Sequence, residues 1–129
     1  MKRKWKLQVS IYEVIYMILY VSSEGYGENL NIYKASKITH DLQMKDLSNC
    51  YICPVVAFDS VLDDKISKED KLEIFLDLLS VCDKIILTSE DSEWTRAERR
   101  FAELVKMEVL VLEENGELRP SEKRVGKLH

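Results

Sequence analysis

The chain is expected to fold as an α/β domain, a mainly parallel sheet of four to five strands covered by helices. Two observations predict this. A short, continuously apolar run at residues 17–21 and mainly apolar runs at 84–88 and 107–112 have the length and composition of buried parallel strands. Between them lie longer segments whose apolar residues recur at helical spacing. Strands that alternate with helices imply right-handed crossovers and a sheet covered on both sides.

The elements follow in order. Residues 17–21 form the first strand, and Ser22-Ser23-Glu24-Gly25-Tyr26-Gly27 is a loop with two glycines. A helix over 28–47 places Ile32, Ala35, Ile38 and Leu42 on one face. The second strand covers 51–58, although Pro54 marks it as an edge. An acidic connection follows at 59–68, and Ser67-Lys68-Glu69-Asp70 resembles a capping box that opens a helix with Leu72, Phe75, Leu76 and Leu79. Residues 84–88, 94–106 and 107–112 read as strand, helix and strand, and Glu113-Glu114-Asn115-Gly116 as a turn. The expected architecture is a small flavodoxin-like (Rossmannoid) three-layer sandwich over residues 17–118. Residues 1–16 are an extension that suits an amphipathic helix (Leu7, Ile11, Val14, Ile15, Ile18) or an extra strand over 5–11. Residues 119–129 read as a polar, loose tail.

Bulk properties narrow the function. With 129 residues the chain closes one core. Its 19 basic and 23 acidic residues, net charge −4, argue against a binder of nucleic-acid polymers, which needs a basic face. Lys2-Arg3-Lys4 before an apolar run imitates a signal peptide, but Glu13 interrupts it and the run is too short to cross a bilayer, so no membrane role is expected. Three cysteines do not make a disulfide framework, and a reducing cytoplasm is the expected location. Cys50 and Cys53 sit three apart on an expected strand, where their thiols diverge. Only Cys82, His40 and His129 remain as partners, so the cysteines read as core residues, and neither metal nor cofactor is expected.

The segment from Cys82 to Glu98 carries the chemistry. An apolar strand runs into the turn Ser89-Glu90-Asp91-Ser92, which opens a helix with Glu98 near its start. Ser92 is the expected N-cap, so free backbone N–H groups, a hydroxyl and a carboxylate gather where open α/β sheets bind small ligands. A carboxylate at such a place can stabilise, or attack, an anomeric carbon that gains positive charge as a glycosidic bond breaks. Arg96, near the helix start, is a candidate anion ligand, whereas Arg99 and Arg100 read as surface charges that balance Glu103.

These residues stand in an order that resembles the nucleoside 2-deoxyribosyltransferase-like superfamily and its nucleotide-hydrolysing members. The pieces are Tyr20-Val21-Ser22, Gly25 to Gly27, Glu28-Asn29, Leu62-Asp63-Asp64, Leu78-Leu79 before Cys82-Asp83, and Ser92-Glu93 before Arg96-Ala97-Glu98. The resemblance spans residues 17–113 and implies a nucleotide or nucleoside as ligand. It implies that Glu98 is a nucleophile that forms a glycosyl-enzyme and that Tyr20 belongs to the active site. By the same resemblance Ser92 contacts phosphate, with Ser22, Gly25 and Gly27 around the ligand.

Two positions depart from the family. Trp94 replaces a glycine, and its indole either stacks on a base at the mouth of the site or occupies the pocket. Phe75 replaces an aspartate that assists the leaving base, a role left to Asp59, Asp63, Asp64 or Asp91. Both departures also suit a catalytically silent module that senses or sequesters a nucleotide. The resemblance implies a homodimer or larger homo-oligomer, and the apolar, tyrosine-rich extension with Trp5, Tyr12 and Tyr16 offers a contact surface.

Overall fold

The computed structural model describes residues 16–58, 63–88 and 91–121. They form an α/β domain around a five-stranded sheet. The strands are β1 (Ile18–Ser22), β2 (Cys50–Ile52), β3 (Lys84–Leu87), β4 (Glu108–Leu112) and β5 (Leu118–Pro120). The helices are α1 (Ile32–Lys45), α2 (Pro54–Ala57), α3 (Lys68–Leu79) and α4 (Glu93–Leu104). Strand order is β2-β1-β3-β4-β5, with β1 to β4 parallel and β5 antiparallel to β4.

Alternation along β1 divides the core in two. Leu19 and Val21 point to one face and, with Ile86 of β3, pack against Ala35 and Leu42 of α1 and Val55 of α2. Tyr20 points to the other face and, with Ile85, meets Leu79 of α3 and Ala102 of α4. Each expected helix occurs, with shifted ends. The helix placed at 28–47 starts at Ile32, because Asn31 caps it by accepting the Lys34 N–H at 3.0 Å. Residues 28 and 29 are turn instead. Ser67 caps α3 as expected, accepting the Asp70 N–H at 3.0 Å. Lys106, at φ 62°, turns the chain out of α4 before residue 107.

Two expectations fail, each for a local reason. The strand placed at 51–58 stops at Ile52, and Pro54 opens the short α2. Proline lacks the N–H that a strand needs, while the first position of a helix has no use for one. Cys50 therefore lies exposed on an edge strand, and only Cys53 and Cys82 are buried as expected. The loose tail placed from Arg119 instead begins with β5. Gly116, at φ 89°, makes the turn, and the Ser121 N–H reaches the Val109 carbonyl at 2.8 Å. The extension expected at residues 1–16 lies outside the described residues except for Tyr16. No helix among the described residues is long and apolar enough to cross a membrane.

Ile86 sits in the sheet centre with no exposure, whereas Leu104 is 74% exposed. Ile86→Ala should cost about 2–5 kcal/mol by urea unfolding. Leu104→Ala should stay within about 0.5 kcal/mol of the parent chain.

Candidate functional site

The strand order reverses at β1, whose two neighbours are β2 and β3, so the loops leaving β1 and β3 part there and leave a crevice. The Thr88 hydroxyl reaches across it, donating to the Ser22 carbonyl at 2.9 Å. Tyr20 and Ser22, two residues apart on β1, point to the same face. The buried residues of α4 are Trp94, Thr95, Glu98 and Ala102, a helical stripe interrupted by one carboxyl group. That group meets the two hydroxyls. Tyr20 donates to Glu98 Oε2, and Ser22 donates to Oε1 at 2.7 Å.

Glu98 is fully buried, and taking an ionised carboxylate out of water is costly. Burial pushes its pKa up to about 8, with the charge of Glu24 adding, against the opposing pull of the Tyr20 and Ser22 hydroxyls. Tyr20 is pushed well above the usual phenol range, first by burial and then by the charge of Glu98. At neutral pH the cluster holds its proton. Such a group is a weak nucleophile until it ionises, and a capable acid before that.

Ser92 caps α4 as expected. Its Oγ accepts from the Thr95 N–H at 3.2 Å, and Thr95 Oγ1 accepts from the Ser92 N–H at 3.1 Å. The Ser92 hydroxyl also donates to Glu24, so a carboxylate of the protein itself sits where the helix start attracts an anion. Beside this contact is a small hollow of about 20 Å³, lined by Ser23, Glu24, Asn29, Asn31, Lys34 and Thr88 among others. A larger hollow of about 430 Å³, floored by Ile38, Leu42 and Leu112, involves none of the Glu98 cluster.

The remaining expected residues are placed differently. Trp94 does not stand at an open mouth: it is 1% exposed, and its ring meets Phe75 edge-on with centroids 5.1 Å apart. Gly25 makes room for that pair, since a Cβ there would come within 2.5 Å of Trp94 and 2.6 Å of Phe75. Its lack of a side chain thus serves an internal aromatic contact. Gly27, at φ 84°, has open space around it and serves a turn. Arg96 is exposed and donates to the Asp91 carbonyl at 2.9 Å and to its carboxylate at 3.3 Å, turned away from Glu98. Asp63 and Asp64 are exposed too, and Asp63 accepts from the Lys65 N–H at 2.9 Å. Asp59 lies outside the described residues.

Sequence reading passed over Glu24 and took Cys53 as a core residue only. Glu24 looked like one polar residue of a glycine loop, and only folding brings it to Ser92 across 68 positions. Cys53, which caps α2, is buried near Glu98, whose charge helps burial raise the thiol pKa. The Trp94 indole N–H is buried without a hydrogen-bond partner among the described residues. It still favours the charged form of Glu98, so it is close to that carboxylate.

The proton on Glu98 sets a pH dependence. Between about pH 4.5 and 8 the folded chain keeps this proton and the unfolded chain has lost it. The stabilisation is therefore complete below that window, falls as pH rises through it, and is gone above it. Glu98→Gln, which imitates the neutral acid, should remove a slope of up to about 1.4 kcal/mol per pH unit from urea-unfolding free energies across this window. Gly25→Ala should destabilise the chain by about 1–3 kcal/mol, and should cost less than that when introduced into a Trp94→Ala chain, where the collision is relieved. Comparison with family models, with curated proteins and with solved structures gives no match.

Proposed function

We propose that this chain is a nucleotide- or nucleoside-directed protein of the deoxyribosyltransferase-like type, with its site around Glu98. One observation carries the proposal. A buried glutamate on the helix that follows β3 is held by two hydroxyls, Tyr20 and Ser22, from the end of β1. These are the glutamate and tyrosine that the resemblance marks as active-site residues. The 2-1-3-4-5 strand order supports the finer reading of the fold as flavodoxin-like, with helices on both faces of the sheet.

In the proposed reaction the ionised Glu98 attacks the anomeric carbon of a deoxyribosyl group. The C–N bond breaks, its electron pair leaves with the base, and the base takes up a proton. Water, or a second base, then attacks the glycosyl ester and frees Glu98. Tyr20 and Ser22 aim the carboxylate and spread its charge. Phe75 offers no proton to the leaving base, so solvent or another acid supplies it.

A second reading follows from the aromatic pair. Trp94 and Phe75 fill the space under Gly25, and Glu98 is sealed from solvent. This suits a silent module that retains an intact nucleotide to sense or sequester it. Incubation with deoxynucleosides and their 5′-monophosphates separates the two, because only catalysis yields free base. Base release should rise with pH toward about 8 as Glu98 ionises, and Glu98→Ala should abolish it. Unchanged release from Glu98→Ala would remove Glu98 from the mechanism. Trp94→Gly should open the site and raise the rate of a catalytic chain. In a silent one it should change nucleotide affinity alone, with no base released. Failure of every nucleotide and nucleoside to shift the melting temperature would end both readings.

A further inference from the structure

We propose that residues 1–15 fold back across the end of the sheet where its parallel strands begin, over a row of exposed apolar side chains: Leu47, Val81 and Val105. β1 to β4 run parallel, so their first residues, and the turns that lead into β2, β3 and β4, lie together at this end. Each of those turns carries a large apolar residue left open to solvent: Leu47 is 71% exposed, Val81 67% and Val105 51%. Each stands three residues before its strand, which starts at Cys50, Lys84 or Glu108. Ile18 pairs with Cys50, Leu19 with Lys84, and Lys84 with Glu108, so the three positions share a level to within one residue. Single exposed apolar residues are ordinary on a surface, but one repeated at the same offset in three neighbouring turns marks an unmet contact.

The occupant follows from where the chain enters the sheet. The Met17 N–H donates to Asn49 Oδ1 at 2.8 Å, and the Ile18 N–H donates to Asp83 Oδ2 at 2.7 Å. Asn49 and Asp83 lie two residues beyond Leu47 and Val81, so residues 1–15 leave β1 between the turns that carry them. The offset that picks out Leu47, Val81 and Val105 picks out Ile15 before β1. Leu7, Ile11 and Val14 precede it at intervals of four and three, so the segment brings apolar side chains of its own to this end. From Leu47 to Val105 the row crosses three inter-strand spacings, about 14 Å. About ten residues of helix, or about five of extended chain, span that distance. Residues 122–129 also leave the sheet at this end, because β5 runs antiparallel to β4, but Val125 and Leu128 are their only large apolar residues. The row lies at the opposite end of the strands from the Glu98 crevice, and the proposal is independent of the function proposed there.

Hydrogen exchange of the full chain, read by mass spectrometry, tests the proposal, with circular dichroism to confirm that each variant folds. Amides of residues 7–14 should exchange about ten-fold or more slowly than in the unfolded chain. Leu47→Asp and Val81→Asp each put a charge into the row and should return these amides toward the unfolded rate. Tyr33→Asp, at an exposed position of α1, should leave them slow. The slowing should persist across about a hundred-fold dilution, since a contact within one chain does not depend on concentration. Exchange of residues 7–14 at the unfolded rate in the parent chain would overturn the proposal. So would slowing that survives both substitutions in the row, which places the segment elsewhere. Slowing that fades on dilution would give the row to a second copy and overturn the proposal too. The same holds if residues 122–129, in place of 7–14, are slowed and then released by Leu47→Asp and Val81→Asp.

Discussion

The burial of the Glu98 carboxyl group against the hydroxyls of Tyr20 and Ser22 is the interaction on which the centre of this structure depends. It joins β1 to α4 across 78 positions of chain. A buried acid is tolerated only when its oxygens find donors or it stays neutral, and here both conditions act together. The cluster therefore holds α4 in register on the sheet while it keeps a titratable group out of water. Stability and the chemistry proposed for the site draw on the same three side chains.

The surroundings of the cluster are as specific as the cluster. Gly25, Phe75 and Trp94 interlock at the crevice, and the contact exists because one of the three lacks a side chain. Glu24, the neighbour of Gly25, reaches the Ser92 hydroxyl at the start of α4, so the loop after β1 is held at two adjacent points. An anion already sits at the helix start, and an aromatic pair already fills the space below it. Any ligand that reaches Glu98 must displace these contacts. The energy to do so has to come from its own differential binding to the open form.

The sheet edges show a different economy. β2 and β5, the two edge strands, have three residues each, which leaves little unpaired backbone to recruit another chain. β5 is antiparallel and hydrogen-bonded through a tight turn, so it extends the sheet without a crossover helix. Exposed apolar side chains lie instead on and after the helices: Tyr33 and Met44 on α1, Leu47 in the turn beyond it, Val81 after α3, and Leu104 and Val105 at the end of α4.

Local patterning was enough to determine the class of fold. Apolar runs marked β1, β3 and β4, helical spacing marked α1, α3 and α4, and Ser67 and Ser92 marked two helix starts, because these signals act within a few residues of chain. The same local logic, applied more strictly, predicts that Pro54 ends β2 and that Gly116 returns the chain as β5. Glu98 was legible as a candidate from the strand-to-helix junction, and Tyr20 and Ser22 from the resemblance. Their mutual contact was not, since it depends on which face of β1 looks toward α4. The partner of Ser92, the inward turn of Trp94 and the reason for Gly25 belonged to tertiary structure alone. Each is a contact between loops and helices far apart in sequence, and no spacing along the chain encodes it.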